Sequence, residues 1–231
     1  MELKQLAFNL SIKDPASFNN FFVGSNIQLI TTLNNLYLDV DPCCIYLWGK
    51  ESSGKSHLLG ALCQLFNEHD LSAAYLPLED AYQFTVNILD DFNDIDIFCI
   101  DDLHLIAGNL KWEEKIFYSV NNILTHNKKI VITANTSPQA LQIKLLDLKS
   151  RLLGNMIFEL HALSDEEKII SLKLRAKSRG LELTDGVASF LLNHYKRDAH
   201  SLFDSLNKLD IASLKAQRKL TIPFVKDILL K

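Results

Sequence analysis

One glycine- and lysine-containing pattern constrains the fold of this chain more than any other feature of its sequence. Residues 49–56 read GKESSGKS and match G-x-x-x-x-G-K-[ST]. The two glycines, Gly49 and Gly54, allow the backbone to wrap a phosphate with its N–H groups. Lys55 then adds a positive charge, and Ser56 offers a hydroxyl group to a metal ion. We include the next residue, His57, in the predicted nucleotide site.

The flanking segments decide between a phosphate loop and a chance glycine- and serine-rich turn. The apolar segment 43–48 precedes the pattern, and Leu58, Leu59, Leu62 and Leu65 follow it at helical spacing. A buried strand, the loop and an amphipathic helix form the context in which this motif binds phosphate, with the positive end of the helix dipole facing the anion. We therefore favour the phosphate loop.

Composition indicates a globular chain, with 48% hydrophobic and 23% charged residues among 231. No apolar segment reaches the length of a membrane span, and the N-terminus lacks a signal pattern, so we expect a cytoplasmic protein with no membrane partner.

The four cysteines lie in apolar segments without C-x-x-C spacing, which favours reduced thiols. A net charge of −4 argues against general attraction to nucleic acid, although the cluster Lys173, Arg175, Lys177 and Arg179 forms either a local basic face or the solvated side of a helix.

Strands and helices alternate in the first two thirds of the sequence. We predict strands at 43–48, 72–77, 95–100, 129–134 and 156–160, with helices between them, which indicates a five-stranded parallel sheet in a three-layer α/β fold. From Ser164, which begins a capping box with Glu167, the pattern is helical. We predict helices from 164 through 174 and at 184–195, 199–217 and 222–230. The expected fold is an α/β base followed by a small all-helical lid.

Two acidic residues follow the third predicted strand. We expect this strand to run beside the phosphate-loop strand, which would place Asp101 to hold Mg²⁺ through its water shell together with Ser56. Asp102 would then lie next to the attacking water. Aspartate is one methylene shorter than the glutamate often found there, so we expect weak or no intrinsic hydrolysis. The alternative role of the pair is a helix N-cap.

Two further polar residues lie beyond the acidic pair. Asn135 ends the fourth strand, which would place its amide beside the γ-phosphate, although it is equally well a turn residue before Pro138. Arg151 lies on a helix too far along the base to reach its own nucleotide easily. An arginine there can act on a neighbour's nucleotide or form an ordinary surface ion pair.

The N-terminal segment QLAFNL alternates apolar residues at Leu6, Phe8 and Leu10. In an extended conformation these three side chains face one way. Such a segment docks into a partner's groove, with the Gln5 amide giving direction through hydrogen bonds, or else forms a short edge strand.

Taken together, these residues resemble the AAA+ ATPases, specifically the DnaA-related branch and its regulators that inactivate the replication initiator. Residues 18–26, which include Phe21 and Phe22, resemble the aromatic segment that lines the adenine pocket. Residues 5–10 are similar to the hexapeptide that binds the DNA sliding clamp, the β subunit of DNA polymerase III, and residues 216–226 resemble the end of the lid. The resemblance implies a clamp-binding segment at 1–13, an AAA+ base at 14–162 and a helical lid at 163–231.

The same resemblance implies an activity. An ADP-bound (or ATP-bound) chain with Mg²⁺, held on DNA indirectly through the clamp, would present Arg151 as a trans arginine finger to DnaA and stimulate hydrolysis of its ATP. A homo-oligomer is compatible with this scheme. The sequence ends soon after the lid-like tail, where an initiator continues into a helix-turn-helix domain, so we expect no sequence-specific binding of duplex DNA.

Two positions depart from the pattern of the branch. The lid arginine that touches the phosphates is replaced by His200, which cannot make the same bidentate contact, and Arg197, about 60° round the same expected helix, is the candidate substitute. Position 135 is asparagine where the branch often has aspartate, which removes a negative charge near the phosphates.

A DnaA-like or helicase-loader-like ATPase acting on single-stranded DNA is the alternative function, because Lys55, Ser56 and both aspartates are intact. A small-molecule kinase fits less well, because no arginine-rich acceptor site is visible.

Overall fold

A parallel sheet of five strands forms the centre of the first part of the chain in the computed structural model, which describes residues 16–83, 86–92 and 95–229. The strands are β1 (Cys43–Trp48), β2 (Ala73–Pro77), β3 (Ile97–Asp101), β4 (Lys129–Ala134) and β5 (Met156–Glu159). They pair in the order β2-β3-β4-β1-β5, and every pairing is parallel. The predicted five-stranded parallel sheet is confirmed.

One expectation about the sheet is wrong, because β3 does not run beside the phosphate-loop strand. Strand β4 lies between β1 and β3 and pairs with both. All six residues of β4 are buried, as a strand with a neighbour on each side and helices on both faces requires. Apolar composition identifies both β3 and β4 as interior strands, but it does not say which of them lies beside β1.

Helices cover both faces of the sheet, with alternate strand residues pointing to each. On one face, α1 (Ile27–Asn35) and α2 (Lys55–Glu68) pack on the side chains of Ile45 and Leu47. On the other, α3 (Leu110–Thr125) and α4 (Leu146–Leu153) pack on Tyr46. Short 3₁₀ segments occur at Phe18–Asn20, Leu36–Leu38, Leu78–Gln83, Val86–Phe92 and Leu103–Leu105. Helix α1 is absent from the sequence-based prediction.

Four helices follow the sheet and enclose a core of their own. They are α5 (Asp165–Ser178), α6 (Asp185–His194), α7 (Ala199–Ala216) and α8 (Ile222–Leu229). The predicted capping box starts α5: the Glu167 N–H donates to Ser164 Oγ at 3.2 Å, and the Ser164 N–H donates to Glu167 Oε2 at 2.8 Å. The fully buried leucines Leu172, Leu191, Leu202 and Leu206 belong to this second core. The helical lid is therefore confirmed as a fold feature.

The connection between sheet and lid is held by Asn26, which is only 4% exposed. Its side-chain amide donates to the His161 carbonyl at 3.0 Å and accepts from the His161 N–H at 2.9 Å. The preceding turn approaches α5 closely, because a Cβ atom on Gly24 (φ +50°) would lie 2.8 Å from Glu167 Oε1. Across the described ranges, no helix has the length and apolar character needed to cross a membrane.

Candidate nucleotide-binding site

The loop between β1 and α2 has the geometry that its sequence predicts. Gly54 is the N-cap of α2 and has a left-handed φ of +107°, where a Cβ atom would lie 2.9 Å from the ring of Phe21. A Cβ atom on Gly49 would lie 2.6 Å from the Leu160 carbonyl oxygen. Neither position has room for a larger side chain, so both glycines are required by the close approach of other groups as well as by the turn itself.

Lys55 is the first residue of α2 and is only 6% exposed. Its ammonium group donates to the carbonyl oxygens of Gly49 and Lys50, both at 3.1 Å. The cation is thereby held over the loop, next to the free N–H groups at the start of α2. A positive charge at a helix N-terminus is the arrangement that binds a phosphate group.

The acidic end of β3 is fixed by hydroxyl groups from both neighbouring strands. The Tyr75 hydroxyl on β2 donates to Asp101 Oδ2 at 2.7 Å, and the Thr133 hydroxyl on β4 donates to Asp101 Oδ1. Thr133 Oγ1 also accepts from the Asp102 N–H at 2.9 Å. Each carboxylate oxygen has a second lone pair, so buried Asp101 can still accept a hydrogen bond from a metal-bound water.

Asp102 is more exposed than its neighbour Asp101. Its backbone has φ +58°, and its partly buried side chain lines the pocket. Burial raises the pKa of Asp102, and the negative charge of Asp101 raises it further, whereas His104 and Lys55 lower it. The oxygen ligands available from Ser56, Asp101 and Asp102 are those that Mg²⁺ prefers, so the residues present fit a magnesium–nucleotide complex.

The loop opens into a pocket of about 1210 Å³ between the sheet and the lid. On the lid side, Arg175 of α5 lines the pocket with its guanidinium 4.3 Å from the centre of the Phe203 ring. Burial lowers the pKa of Arg175, and Asp204 raises it. An arginine held over an aromatic ring at the edge of a phosphate loop is well suited to contact a polyphosphate.

His57 closes another wall of the pocket. Its Nε2 lies 3.1 Å from the Ser17 carbonyl oxygen, to which it can only donate, and its ring lies 5.7 Å from that of Phe21. Burial lowers the pKa of His57. The imidazole is therefore neutral at neutral pH and tethers the Ser17–Phe21 segment to the phosphate-loop helix.

Arg151 lies in a different place. It lines a separate cavity of about 350 Å³ between α3 and α4, together with Phe117, Asn121 and Asp147. Its Nε atom is buried without a hydrogen-bond partner. Among the residues that the structure describes, its guanidinium forms no ion pair.

Two family models match the chain and together cover most of its length. Residues 12–159 match the bacterial DnaA ATPase domain, and residues 165–229 match the Hda lid domain. The chain belongs to the DnaA-related AAA+ family, and it is Hda-like in its lid. This family membership makes it a DnaA-related regulator of replication initiation.

The chain is also similar to individual proteins. An uncharacterized protein of Haemophilus influenzae is 41% identical over 227 residues, which are 98% of each chain. Domain III of Thermotoga maritima DnaA matches with a TM-score of 0.73 at 21% identity, over 93% of this chain and 95% of that one. A replication initiator DnaA bound to AMPPCP and single-stranded DNA matches with a TM-score of 0.70 at 20% identity, over 88% of this chain and 68% of that one. At these identities the two structural matches establish the fold.

The DnaA-related fold brings most of the predicted site residues to one pocket. Its lining includes Phe21, Phe22, Gly54, Lys55, Ser56, His57, Asp102, Asn135 and Arg197. Asp101 lies behind it at 4% exposure, and Arg151 lies apart from it. His200 belongs to α7, but its side chain is outside the described part, as are Gln5, Leu6, Phe8 and Leu10.

The expectation that Arg197 shares a helix with His200 is wrong. Helix α7 begins after the N-cap Asp198, whose Oδ1 accepts from the Ser201 N–H at 2.8 Å. Because an N-cap aspartate ends the preceding extended segment, Arg197 lies outside the helix. Its guanidinium forms an exposed ion pair with Asp165 at 3.5 Å while still lining the pocket.

Sequence reasoning missed Arg175 as a pocket residue, because it was grouped with a basic cluster of α5. Within that cluster, Lys173 pairs with Asp185 at the surface. Arg179 pairs with Asp210, and Arg175 packs on Phe203 at the pocket. The spacing of Lys168, Ser171 and Arg175 by three and four residues places them on one face of α5, and all three line the pocket. This spacing could have identified Arg175 from the sequence.

Proposed function

We propose that this chain is a nucleotide-bound regulator that binds the DNA sliding clamp and stimulates hydrolysis of DnaA-bound ATP in trans. The observation that carries the proposal is the separation of Arg151 from the chain's own pocket. An arginine on a separate surface, without an ion-pair partner among the described residues, is available to a nucleotide held by another protein. Such an arginine finger neutralises charge that develops on the transferred phosphoryl group.

The chain's own nucleotide would then be structural. ADP is the proposed ligand, with ATP as the alternative, and Mg²⁺ would be held by Ser56 and, through water, by Asp101. Family membership and the AMPPCP in a DnaA of the same fold support nucleotide binding. The short side chain of Asp102 supports weak intrinsic hydrolysis, since it reaches less far towards an attacking water than glutamate does.

Each of three consecutive segments of the chain has its own proposed role. Residues 1–13 would bind the clamp, residues 14–162 would hold the nucleotide and present Arg151, and residues 163–231 would close over the nucleotide as a lid. DNA would be reached through the clamp rather than by direct contact. Support for the clamp contact comes from the alternating apolar residues of the N-terminal segment alone.

The decisive experiment measures hydrolysis of DnaA-bound ATP with clamp loaded on DNA and increasing amounts of this chain. Arg151→Ala is expected to lower the maximal stimulated rate by about 1,000-fold, the range known for trans arginines. Arg218→Ala, which removes an exposed arginine in the lid, is the matched control and should stimulate normally. Full stimulation by Arg151→Ala would refute the proposal.

A second function is favoured by one comparison, the structure of a related initiator with single-stranded DNA. A DnaA-like or helicase-loader-like ATPase would show turnover by the isolated chain that single-stranded DNA stimulates and salt suppresses. Measuring turnover with single strands alone, and then with clamp and DnaA, separates the two functions.

A further inference from the structure

Glu113 of α3 is a carboxylate with no exposed surface. Its partners among the described residues are three backbone N–H groups rather than a cation. Gly108 N donates to Oε1 at 2.6 Å, Lys144 N to Oε2 at 3.0 Å and Leu145 N to Oε2 at 2.8 Å. Burying a carboxylate is costly unless such donors satisfy it, so these hydrogen bonds hold the two loops firmly to α3.

Two of the three donors lie directly before the helix that carries Arg151. Leu145 is the N-cap of α4, and its apolar side chain cannot accept a hydrogen bond from the first turn. The Glu113 carboxylate therefore contributes from another helix the negative charge that favours this helix end. The N-terminus of α4 is thus fixed to α3 rather than capped by its own sequence.

Helix α4 has only eight residues, too few to be stable alone, so its position depends on tertiary anchors. Its own side chains Leu148 and Leu152 are fully buried against the rest of the protein. At its end, the Asn155 side-chain amide donates to the Arg151 carbonyl. Glu113 is the anchor at the opposite end. It holds Leu145, which lies about 9 Å from Arg151 along the axis of α4.

We propose that Glu113 is a positioning residue that sets the location of the Arg151 guanidinium through the loop before α4. This inference rests on the proposed trans role of Arg151. Loss of the carboxylate leaves the Lys144 and Leu145 N–H groups without acceptors and releases the start of α4. Displacement of a catalytic group by about 1 Å is enough to lower a rate by about 100-fold.

The test uses the full chain with DnaA·ATP and clamp-loaded DNA, and it compares Glu113→Gln and Glu113→Ala with the matched control Glu114→Gln. Glu114 is the exposed neighbour on the same helix. We expect Glu113→Ala to lower the maximal stimulated rate by about 100-fold. Glu113→Gln, which turns one acceptor oxygen into a donor facing backbone N–H groups, should lower it by about 10-fold.

The concentration of chain that gives half-maximal stimulation separates positioning from general destabilisation. A partly unfolded variant has fewer active molecules, so it needs a higher concentration but reaches the same maximum. A mispositioned arginine lowers the maximum and leaves the half-maximal concentration and the ADP affinity within about twofold. Glu113→Gln preserves side-chain volume and decides the question if the alanine variant does not fold.

An unchanged maximum for Glu113→Gln, whether or not the half-maximal concentration shifts, would overturn the positioning role. Arg151→Ala in the same assay keeps the two proposals distinct. If Arg151→Ala loses stimulation while Glu113→Gln retains it, only the role of Glu113 is refuted. If Arg151→Ala stimulates fully, the trans mechanism itself is refuted.

Discussion

The nucleotide pocket and the surface between α3 and α4 that carries Arg151 differ in whether their charged groups have hydrogen-bond partners within the chain. At the nucleotide site, Lys55 already donates to two carbonyl oxygens, and Asp101, behind the pocket, already accepts from two hydroxyl groups. On the α3–α4 surface, Arg151 has a buried Nε without a partner and no ion pair within the described chain. The first set of groups is already held by partners within this chain, whereas the Nε atom of Arg151 has none among the described residues.

This difference has an energetic basis. Internal hydrogen bonds fix Lys55 and Asp101 in place before the ligand binds, which reduces the ordering cost of binding. A partly buried donor without a partner reduces stability, and function is a common reason for keeping one. The two regions should therefore respond independently to mutation. The first of three predictions tests this independence, and the other two concern the nucleotide pocket alone.

Among these three predictions, the largest effect is expected from Lys55→Ala. Removing the cation should weaken ADP binding by about 100-fold, equivalent to about 2.7 kcal/mol, because a charge-assisted contact with the phosphates is lost. Isothermal titration with ADP measures the affinity, and circular dichroism checks the fold. Arg151→Ala is the control and should bind ADP as the wild type does. Equal losses in both variants would show that the two regions are one coupled site.

A smaller effect is expected on the lid side of the pocket. Arg175→Ala should weaken ADP binding by about 10-fold, since the pocket loses a guanidinium group that can contact phosphate. Titration with a fluorescent ADP analogue measures this loss. Lys177→Ala, an exposed position on the same helix, is the matched control. If Arg175→Ala and Lys177→Ala bind ADP equally well, Arg175 contributes no charge to the site.

The features that sequence predicted correctly are those encoded by local patterns. The strands are short apolar segments, the phosphate loop is a contiguous motif, and α5 begins with a capping box. The order of β3 and β4 could not be predicted, because both are apolar and the pairing depends on tertiary packing. Helix α1 was missed because its nine residues are rich in threonine and asparagine, which weaken a helical pattern.

The missed site residues have a common physical cause. Glu113 lies three and seven residues before Ile116 and Val120, so it shares their buried face of α3. Its charge nevertheless favoured an exposed position, because two of the N–H groups that satisfy it, those of Lys144 and Leu145, come from a loop far along the chain. Arg175 was missed for the same reason, since its aromatic partner Phe203 lies two helices away. Tertiary partners decide whether a charged residue is buried, and a single sequence does not display them.

The smallest predicted effect concerns His57, whose pKa is lowered by burial and by Arg175, against the raising effect of its hydrogen bond to Ser17. Below a pH of about 6.5, the unfolded chain binds a proton that the folded chain does not, so the free energy of unfolding falls as the pH falls.

His57→Gln retains an N–H donor for the Ser17 carbonyl but does not titrate. Between pH 7.5 and 5.5 the wild type should therefore lose more stability than this variant, by less than about 1 kcal/mol. Urea denaturation at both pH values measures the difference, with His126→Gln, an exposed position, as the control. Identical losses in the wild type and His57→Gln would mean that this wall of the pocket accepts the charged imidazole without loss of stability.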